Sequence, residues 1–459
     1  MIRWILIVCF LCARPLVAAD IRWDEEGERL SVDVRGVALE PFLSSLAHET
    51  GWRVFVEPGM QARVDVAFAD KRPAAALRAL GLPGQFSLIT RLDGTTTAYF
   101  FERSRGAATQ EIVDTTGTET TENDALGGEE SSELVVRLDP DSGVSIEELA
   151  ALLGGRVVGS IPGTNAYRLA FDDPESASEA LSRLSEEEGV DSAEFNRVLP
   201  APAFTPQPSP LGLPPIRLRP AETGDTVVIG LIDSVVYTEN EDMKAFLLPQ
   251  TTVVGDIERL EVDGLTHGSA MFETILRGME ASLEPGEREL SVRVLPVDIY
   301  GNSDTTTTFQ VAAAIAEAVN AGATTLNLSF GGQDSSSLVQ DLIRESRALG
   351  VSFYGAAGNE PVETPTYPAA YDEVVAVTAA DARGDLAAYA NRGAFVDVIA
   401  PGSNIVSFAG GSFVTSGTSV AAAFLSGVAG ANAAQTDWNI ADVEAAVREE
   451  FRFEQESGE

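Results

Sequence analysis

Four residues in the second half of this 459-residue chain could together cleave an acyl bond: Asp233, His267, Asn359 and Ser419. Ser419 follows Gly417-Thr418 and opens a run, Val420 to Ala434, that meets no charge before Asp437. A helix that is apolar all round is buried, so this one must begin at a turn on top of a core. Free N–H groups and the helix dipole there favour developing negative charge. Taken alone, Ser419 reads as the cap of a core helix. His267 changes the reading. It is one of two histidines in the chain and stands in Thr266-His267-Gly268-Ser269, before a helical stretch. Histidine has the unperturbed pKa to take and return a proton near neutrality. A serine hydroxyl needs such a base beside it. The base needs a carboxylate to hold its tautomer, which Asp233 can supply. Asn359 closes Gly355-Ala356-Ala357-Gly358-Asn359-Glu360. Small residues there let a substrate backbone lie close, and Asn359 can donate to an oxyanion together with the Ser419 N–H. By itself Asn359 reads as a turn asparagine.

The elements around these residues alternate between strand and helix. Residues 226–232 form a continuous apolar strand, as buried parallel strands do, and it runs into Asp233. Further strands are expected at 290–297, 324–329, 351–355 and 374–378, with helices at 308–320, 336–349 and 419–434. Such sheets carry their sites at the carboxyl ends of the strands. Asp233, Ser329 and Asn359 fall at or just past such ends, while Ser419 opens a helix. The expected fold class is therefore α/β, a three-layer parallel-sheet domain preceded by two small α+β domains.

The blocks "VVIGLIDSVV", "THGSAM", "LNLSFGG", "AAGNE", "TYPAAYDEVVAVTA", "VDVIAPG" and "SGTSVAAAFLSGVAG" occur in the order and spacing of the subtilisin-like serine proteases. The domain at 216–455 resembles that family. The resemblance implies that Asp233 orients, His267 is the general base, Ser419 the nucleophile and Asn359 the oxyanion donor. It implies that Ser329-Phe330-Gly331 lies beside the specificity pocket, that Gly358 and Glu360 border it, and that Tyr367-Pro368 is a site often cis. No metal takes part in that chemistry. Structural calcium is the one cofactor the family suggests, and no motif here marks its ligands. Three positions depart from the family pattern. Val235 stands where glycine is usual, and a turn needing positive φ would be strained there. Phe272 and Glu273 replace small residues and ask the neighbouring helix to pack differently. Ala423 replaces a proline, a mild change in a first turn. These departures keep open a second reading, a divergent pseudoprotease that serves as a binding or docking module.

The rest of the chain implies export. Residues 1–19 have the basic Arg3, an apolar stretch and the small-residue site Val17-Ala18-Ala19 of a signal peptide,. Both cysteines, Cys9 and Cys12, lie within it, so the mature protein would have no thiol or disulfide,. A periplasmic or extracellular location follows, and no later run is apolar enough to span a membrane. Residues 20–105 read as βαββαββ, and "SVDVRGVALEPFLSSLAHETGW" resembles the short N-terminal domain of secretins and TonB-dependent receptors, a periplasmic docking module. That resemblance implies an envelope partner. His48 falls in its first helix with no second ligand near it in sequence. Residues 106–132 read as a flexible acidic linker. Residues 133–198 read as βαββαβ, the ferredoxin-like order. They resemble the inhibitory prosegment of subtilisin-like proteases, down to the ending "GVDSAEFN", which makes the chain's own prosegment a partner of its catalytic domain and implies a zymogen. Residues 199–215 hold seven prolines and read as an extended, protease-sensitive connector,. The formal net charge of −39 excludes nucleic acid as a partner and suits a solvated, exported protein. Protein or peptide substrates are what the subtilisin-like resemblance implies.

Overall fold

The apolar run that ends at Asp233 forms the strand Val227–Asp233, and its neighbours assemble on both sides of it. The computed structural model describes residues 20–453 apart from 25–28, 57–59, 61, 81, 83–84, 91–95, 102–109, 112–130, 186, 213–215, 222–225, 256–263 and 437–438. The expected signal peptide and most of the acidic linker lie outside the described residues, as do residues 91–95, where the sequence Asp93-Gly94 predicts a hairpin turn,. The chain divides into two units, Met1–Leu126 and Gly127–Glu459, each taken here by itself.

In the first unit, Asp20–Asp24, Arg29–Ala38 and Arg63–Lys71 make one antiparallel sheet. A second sheet has the order Gln85–Thr90, Thr96–Phe101, Arg53–Val56, Gln110–Glu111. The helix Leu39–Thr50 buries Phe42, Leu43 and Leu46 completely. Two short strands depart from the sequence reading. Asp20–Asp24 pairs where nothing was expected, and Gln110–Glu111, within the expected linker, pairs with Phe55 and Val56. Sheet edges recruit backbone irrespective of side-chain pattern, so a two-residue strand leaves no periodicity to read.

The second unit opens with the ferredoxin-like domain. Its strands Val190–Phe195, Glu133–Leu138, Ala166–Ala170 and Arg156–Ile161 lie side by side in that order. The helices Ile146–Leu153 and Pro174–Leu184 are capped by Ser145 and Asp173. The main sheet follows, with seven parallel strands. They run Thr251–Thr252, Val292–Asp298, Val227–Asp233, Thr325–Leu328, Ser352–Ala356, Val375–Ala380 and Val398–Pro401. The chain leaves Val227–Asp233 toward one edge and returns on its other side, so a crevice opens at the carboxyl ends there. The helices Thr308–Asn320 and Ser337–Ala348 supply side chains to the core on one face. The helices His267–Ala281 and Thr418–Gln435 supply them to cores on the other. These last two helices cross at glycines. A Cβ on Gly278 would stand 2.0 Å from the Phe424 carbonyl oxygen, and one on Gly427 would stand 2.1 Å from that of Ile275. Only hydrogen at both positions permits this approach, which fixes the helix of His267 against the helix of Ser419.

Candidate active site

Asp233 ends its strand buried, 2% exposed, and its carboxylate is held from two sides. The Ser234 N–H donates to Oδ1 at 2.7 Å, and the Ser234 hydroxyl donates to the same oxygen at 3.2 Å. The Nδ1 of His267 lies 2.8 Å from both carboxylate oxygens. With the proton on Nδ1, Nε2 keeps its lone pair. His267 is the first residue of its helix, and Thr266 caps that helix by accepting the Ser269 N–H at 3.1 Å. Gly268 follows because the chain passes so close to the Asp233 loop. A Cβ there would lie 2.0 Å from the Ser234 carbonyl oxygen, while the Gly268 N–H donates to Ser234 Oγ at 2.9 Å.

Ser419 is buried in the first turn of its helix, and its hydroxyl donates to the Ser329 carbonyl at 3.2 Å. Ser329 Oγ returns a hydrogen bond to the Ser419 carbonyl at 3.3 Å. Among the described residues no hydrogen bond joins His267 to Ser419. Rotation about χ1 is the serine's freedom to change acceptor, and such bonds often tighten only around substrate. Asn359 is fixed by a residue the sequence reading passed over. Its Oδ1 accepts the Thr418 N–H at 2.8 Å and the Thr418 hydroxyl at 3.2 Å. Thr418 Oγ1 in turn accepts the Gly358 N–H at 3.0 Å. The carbonyl end of the amide is thereby committed, which leaves the NH2 end as the donor. Asn391, only 1% exposed, was also missed. It donates to the Ala357 carbonyl at 2.9 Å and accepts the Glu360 N–H at 2.8 Å, so it ties down the loop that carries Asn359. A lone buried asparagine leaves no sequence signal of that task.

The candidate pocket residues separate. Ser329 borders Ser419 directly, as above. Phe330 is buried and lines a pocket with Val311, Tyr367 and Tyr371. Gly331 packs against Tyr367, with which Gly332 exchanges backbone hydrogen bonds of 2.9 and 2.7 Å. The Tyr367-Pro368 peptide is cis. Glu360 is exposed and engages Asn391 through its backbone. Val235 keeps φ outside the left-handed region, so the strain considered for it does not arise. Its carbonyl instead accepts from Thr266 Oγ1 at 2.6 Å. Asp298, one strand over and 1% exposed, accepts from Thr252 Oγ1 at 2.8 Å and from the N–H groups of Tyr300 and Gly301. Burial raises its pKa, and Asp233 adds to the effect. Among the described residues no cluster of three His, Cys, Asp or Glu side chains could hold a metal ion, so no ligands are assigned to the calcium the family suggests.

The cleft is lined by the chain's own connector. Val198–Pro200 pairs antiparallel with Thr305–Thr307, and the Ala201 N–H donates to Asp304 at 2.7 Å. Leu199 lines one pocket with Phe330 and is buried against the same core. The Phe204 ring meets the His267 ring edge-on at 5.3 Å. Gln207–Pro208 then pairs antiparallel with Val414 and Phe413. The connector is extended as expected, but it is paired on both sides of His267 and not free. Just before it, the ending noted in the sequence caps two helices. Glu194 accepts from Ser336 Oγ, and from the Ser337 N–H and Oγ at 2.8 Å each, at the start of Ser337–Ala348. Asn196 Oδ1 accepts the Phe309 N–H at 3.1 Å at the start of Thr308–Asn320. A carboxylate at a helix N-terminus is favoured by the dipole and satisfies donors that otherwise go unpaired.

Comparison with known proteins agrees with this architecture. The subtilase family matches residues 224–451, and the fervidolysin N-terminal prodomain family matches residues 130–196. A thermophilic serine proteinase of Bacillus sp. (strain AK1) is 36% identical over 175 residues, which are 38% of this chain and 42% of that protein. Subtilisin DY of Bacillus licheniformis is 28% identical over 242 residues, 49% of this chain and 84% of that protein. The solved structure of fervidolysin from Fervidobacterium pennivorans, a keratinolytic enzyme related to subtilisin, aligns with TM-score 0.51 and 16% identity. The alignment covers 67% of this chain and 55% of that one, and it speaks to fold alone. The larger domain is a subtilisin-like peptidase domain of the serine type. Residues 224–451 are thus a subtilase-family domain, with a prosegment-like domain ahead of it.

Proposed function

We propose that the protein is an exported serine endopeptidase made as a zymogen, with Ser419 as nucleophile, His267 as general base, Asp233 as its orienting carboxylate and Asn359 as oxyanion donor. The observation that carries the reading is the 2.8 Å contact of His267 Nδ1 with a buried Asp233, on a helix locked by glycines to the one Ser419 opens. In the reaction, Nε2 takes the hydroxyl proton as Oγ attacks the scissile carbonyl. Asp233 stabilises the imidazolium. The Asn359 NH2 and the Ser419 N–H receive the oxyanion. The imidazolium gives its proton to the leaving amine, and water deacylates the enzyme with the same base. The signal-peptide pattern of residues 1–19 supports export,. The first unit would serve as an envelope docking module, and no helix among the described residues is long and apolar enough to cross a membrane.

The connector supports the zymogen reading. It runs along the cleft as a substrate would, paired with Thr305–Thr307 and with Phe204 against His267, while Glu194 and Asn196 hold the prosegment-like domain in place. A fluorophosphonate probe tests the whole proposal, because only an activated serine reacts with it. Labelling is expected at Ser419, and faster once the connector has been cut. A processed chain that stays unlabelled would make it a pseudoprotease.

Asn359→Ala should lower kcat by about 100- to 1000-fold with KM little changed, because the donor acts where charge develops in the transition state. Steady-state kinetics on a peptide amide check this. A fall in KM affinity with kcat intact would assign Asn359 to ground-state binding instead.

A further inference from the structure

We infer that Glu273 is a positioning residue for the leaving-group side of the substrate, an inference that rests on the endopeptidase reading. Glu273 is one of the departures from the family pattern, on the same helix as His267, and is only 3% exposed. A carboxylate so placed is costly unless paired and hydrogen-bonded. One of its oxygens accepts both the N–H of Ser407 at 2.8 Å and the Ser407 hydroxyl at 2.9 Å. The other lies 3.7 Å from the Arg277 guanidinium one turn on. The next residue, Thr274, accepts from Asn404 Nδ2 at 3.0 Å. Two consecutive residues of the His267 helix thus grip one strand at two points.

That strand, Ser403–Phe408, forms a hairpin with Gly411–Ser416, in which Ser407 stands opposite Ser412. The far strand binds the connector beyond His267. Phe413 and Val414 pair with Gln207–Pro208, and the Ser412 carbonyl accepts the Ser209 N–H at 2.7 Å. Residues before Phe204 run instead along Thr305–Thr307. Chain direction therefore assigns the hairpin to residues that follow the scissile bond. A line of contacts runs from Glu273 through Ser407 and its cross-strand partner Ser412 to the backbone of the bound segment. Without the carboxylate, the N–H and the hydroxyl of the exposed Ser407 would both lose their shared acceptor, and the hairpin would lose its tie to the His267 helix.

The test uses the full chain after connector cleavage, with active sites counted by fluorophosphonate. Two substrates share an acyl portion. One ends in an aryl ester, and the other continues for four residues past the scissile bond. Glu273→Ala is expected to lower the ratio of extended to short kcat/KM about tenfold, mainly through KM for the extended substrate. Glu273→Gln, whose amide oxygen can still accept from Ser407, should bring the ratio back to within about twofold. Should Glu273→Ala not fold, Ser407→Ala removes one of the two donors and should lower the same ratio about threefold. An unchanged ratio in the folded variants, or an equal fall on both substrates, overturns the inference while leaving the endopeptidase reading in place. Wild-type protein inert toward probe and both substrates overturns both.

Discussion

Ser419→Ala should lose about a millionfold in kcat on casein, the scale of removing the nucleophile in subtilisin, while the fold melts as before. Alanine suits a helix start buried among Val420, Ala421, Ala422 and Ala423, and the one bond lost is the 3.2 Å contact with the Ser329 carbonyl. The same variant tests the zymogen reading. In active wild-type protein, mass spectrometry should find a new N-terminus between 196 and 216. In Ser419→Ala the chain should remain whole, with the connector still across the cleft. Equal casein activity in the variant would refute Ser419 as nucleophile. An uncut and fully active wild-type chain would remove the connector's role and leave the nucleophile untouched.

The parts of this molecule legible in the sequence share a trait: their pattern is local. The run Val227–Asp233 is apolar throughout and could lie only in a sheet covered on both faces,. The helix Thr308–Asn320 begins and ends where its spacing says. The two-helix, four-strand order of residues 133–198 is written in alternation and caps alone. Asp233, Ser329 and Asn359 could be placed at strand ends because each follows such a run. What stayed hidden depends on distant chain. Asn391 and Thr418 act on Asn359 from elsewhere in the sequence. The capping of two helices by Glu194 and Asn196 spans more than a hundred residues. The connector's strands are two or three residues long and each ends in proline, so no period could announce that they pair. Val235 shows the reverse error. A family pattern suggested a glycine turn, yet the backbone here never enters the left-handed region.

The departures near Asp233 and His267 also make sense together. Phe272 joins the core beside Met271 and Ile275. Glu273 leaves that core to hold Ser407. Bulk on this helix is therefore matched by a hairpin placed to receive it, and the reacting groups keep their surroundings. That weighs against reading the departures as decay toward a binding module. A helix whose catalytic face had been released would have no reason to keep Gly268 within contact of the Ser234 carbonyl, where any side chain would push His267 away from Asp233.

Asp233→Asn is the change that separates geometry from charge. Asparagine fills the same space, so the strand end and the His267 ring should stay where they are. The Ser234 N–H and hydroxyl both donate to one carboxylate oxygen, at 2.7 and 3.2 Å. In the variant the amide oxygen must take that place, since an NH2 group cannot accept those two donors. The NH2 then takes the other position, and His267 Nδ1, 2.8 Å from both oxygens, must meet it. Nδ1 can meet a donor only as an acceptor, so the ring proton moves to Nε2. In the proposed mechanism Nε2 must receive the Ser419 proton, so an unprotonated nitrogen is required there. kcat near neutral pH should fall about 10,000-fold through this wrong tautomer. Fluorophosphonate labelling should slow in parallel, because it needs the same proton transfer, and KM should move little. Loss of tenfold or less would mean that Asp233 does not set the tautomer, and that the carboxylate's service to His267 is confined to packing.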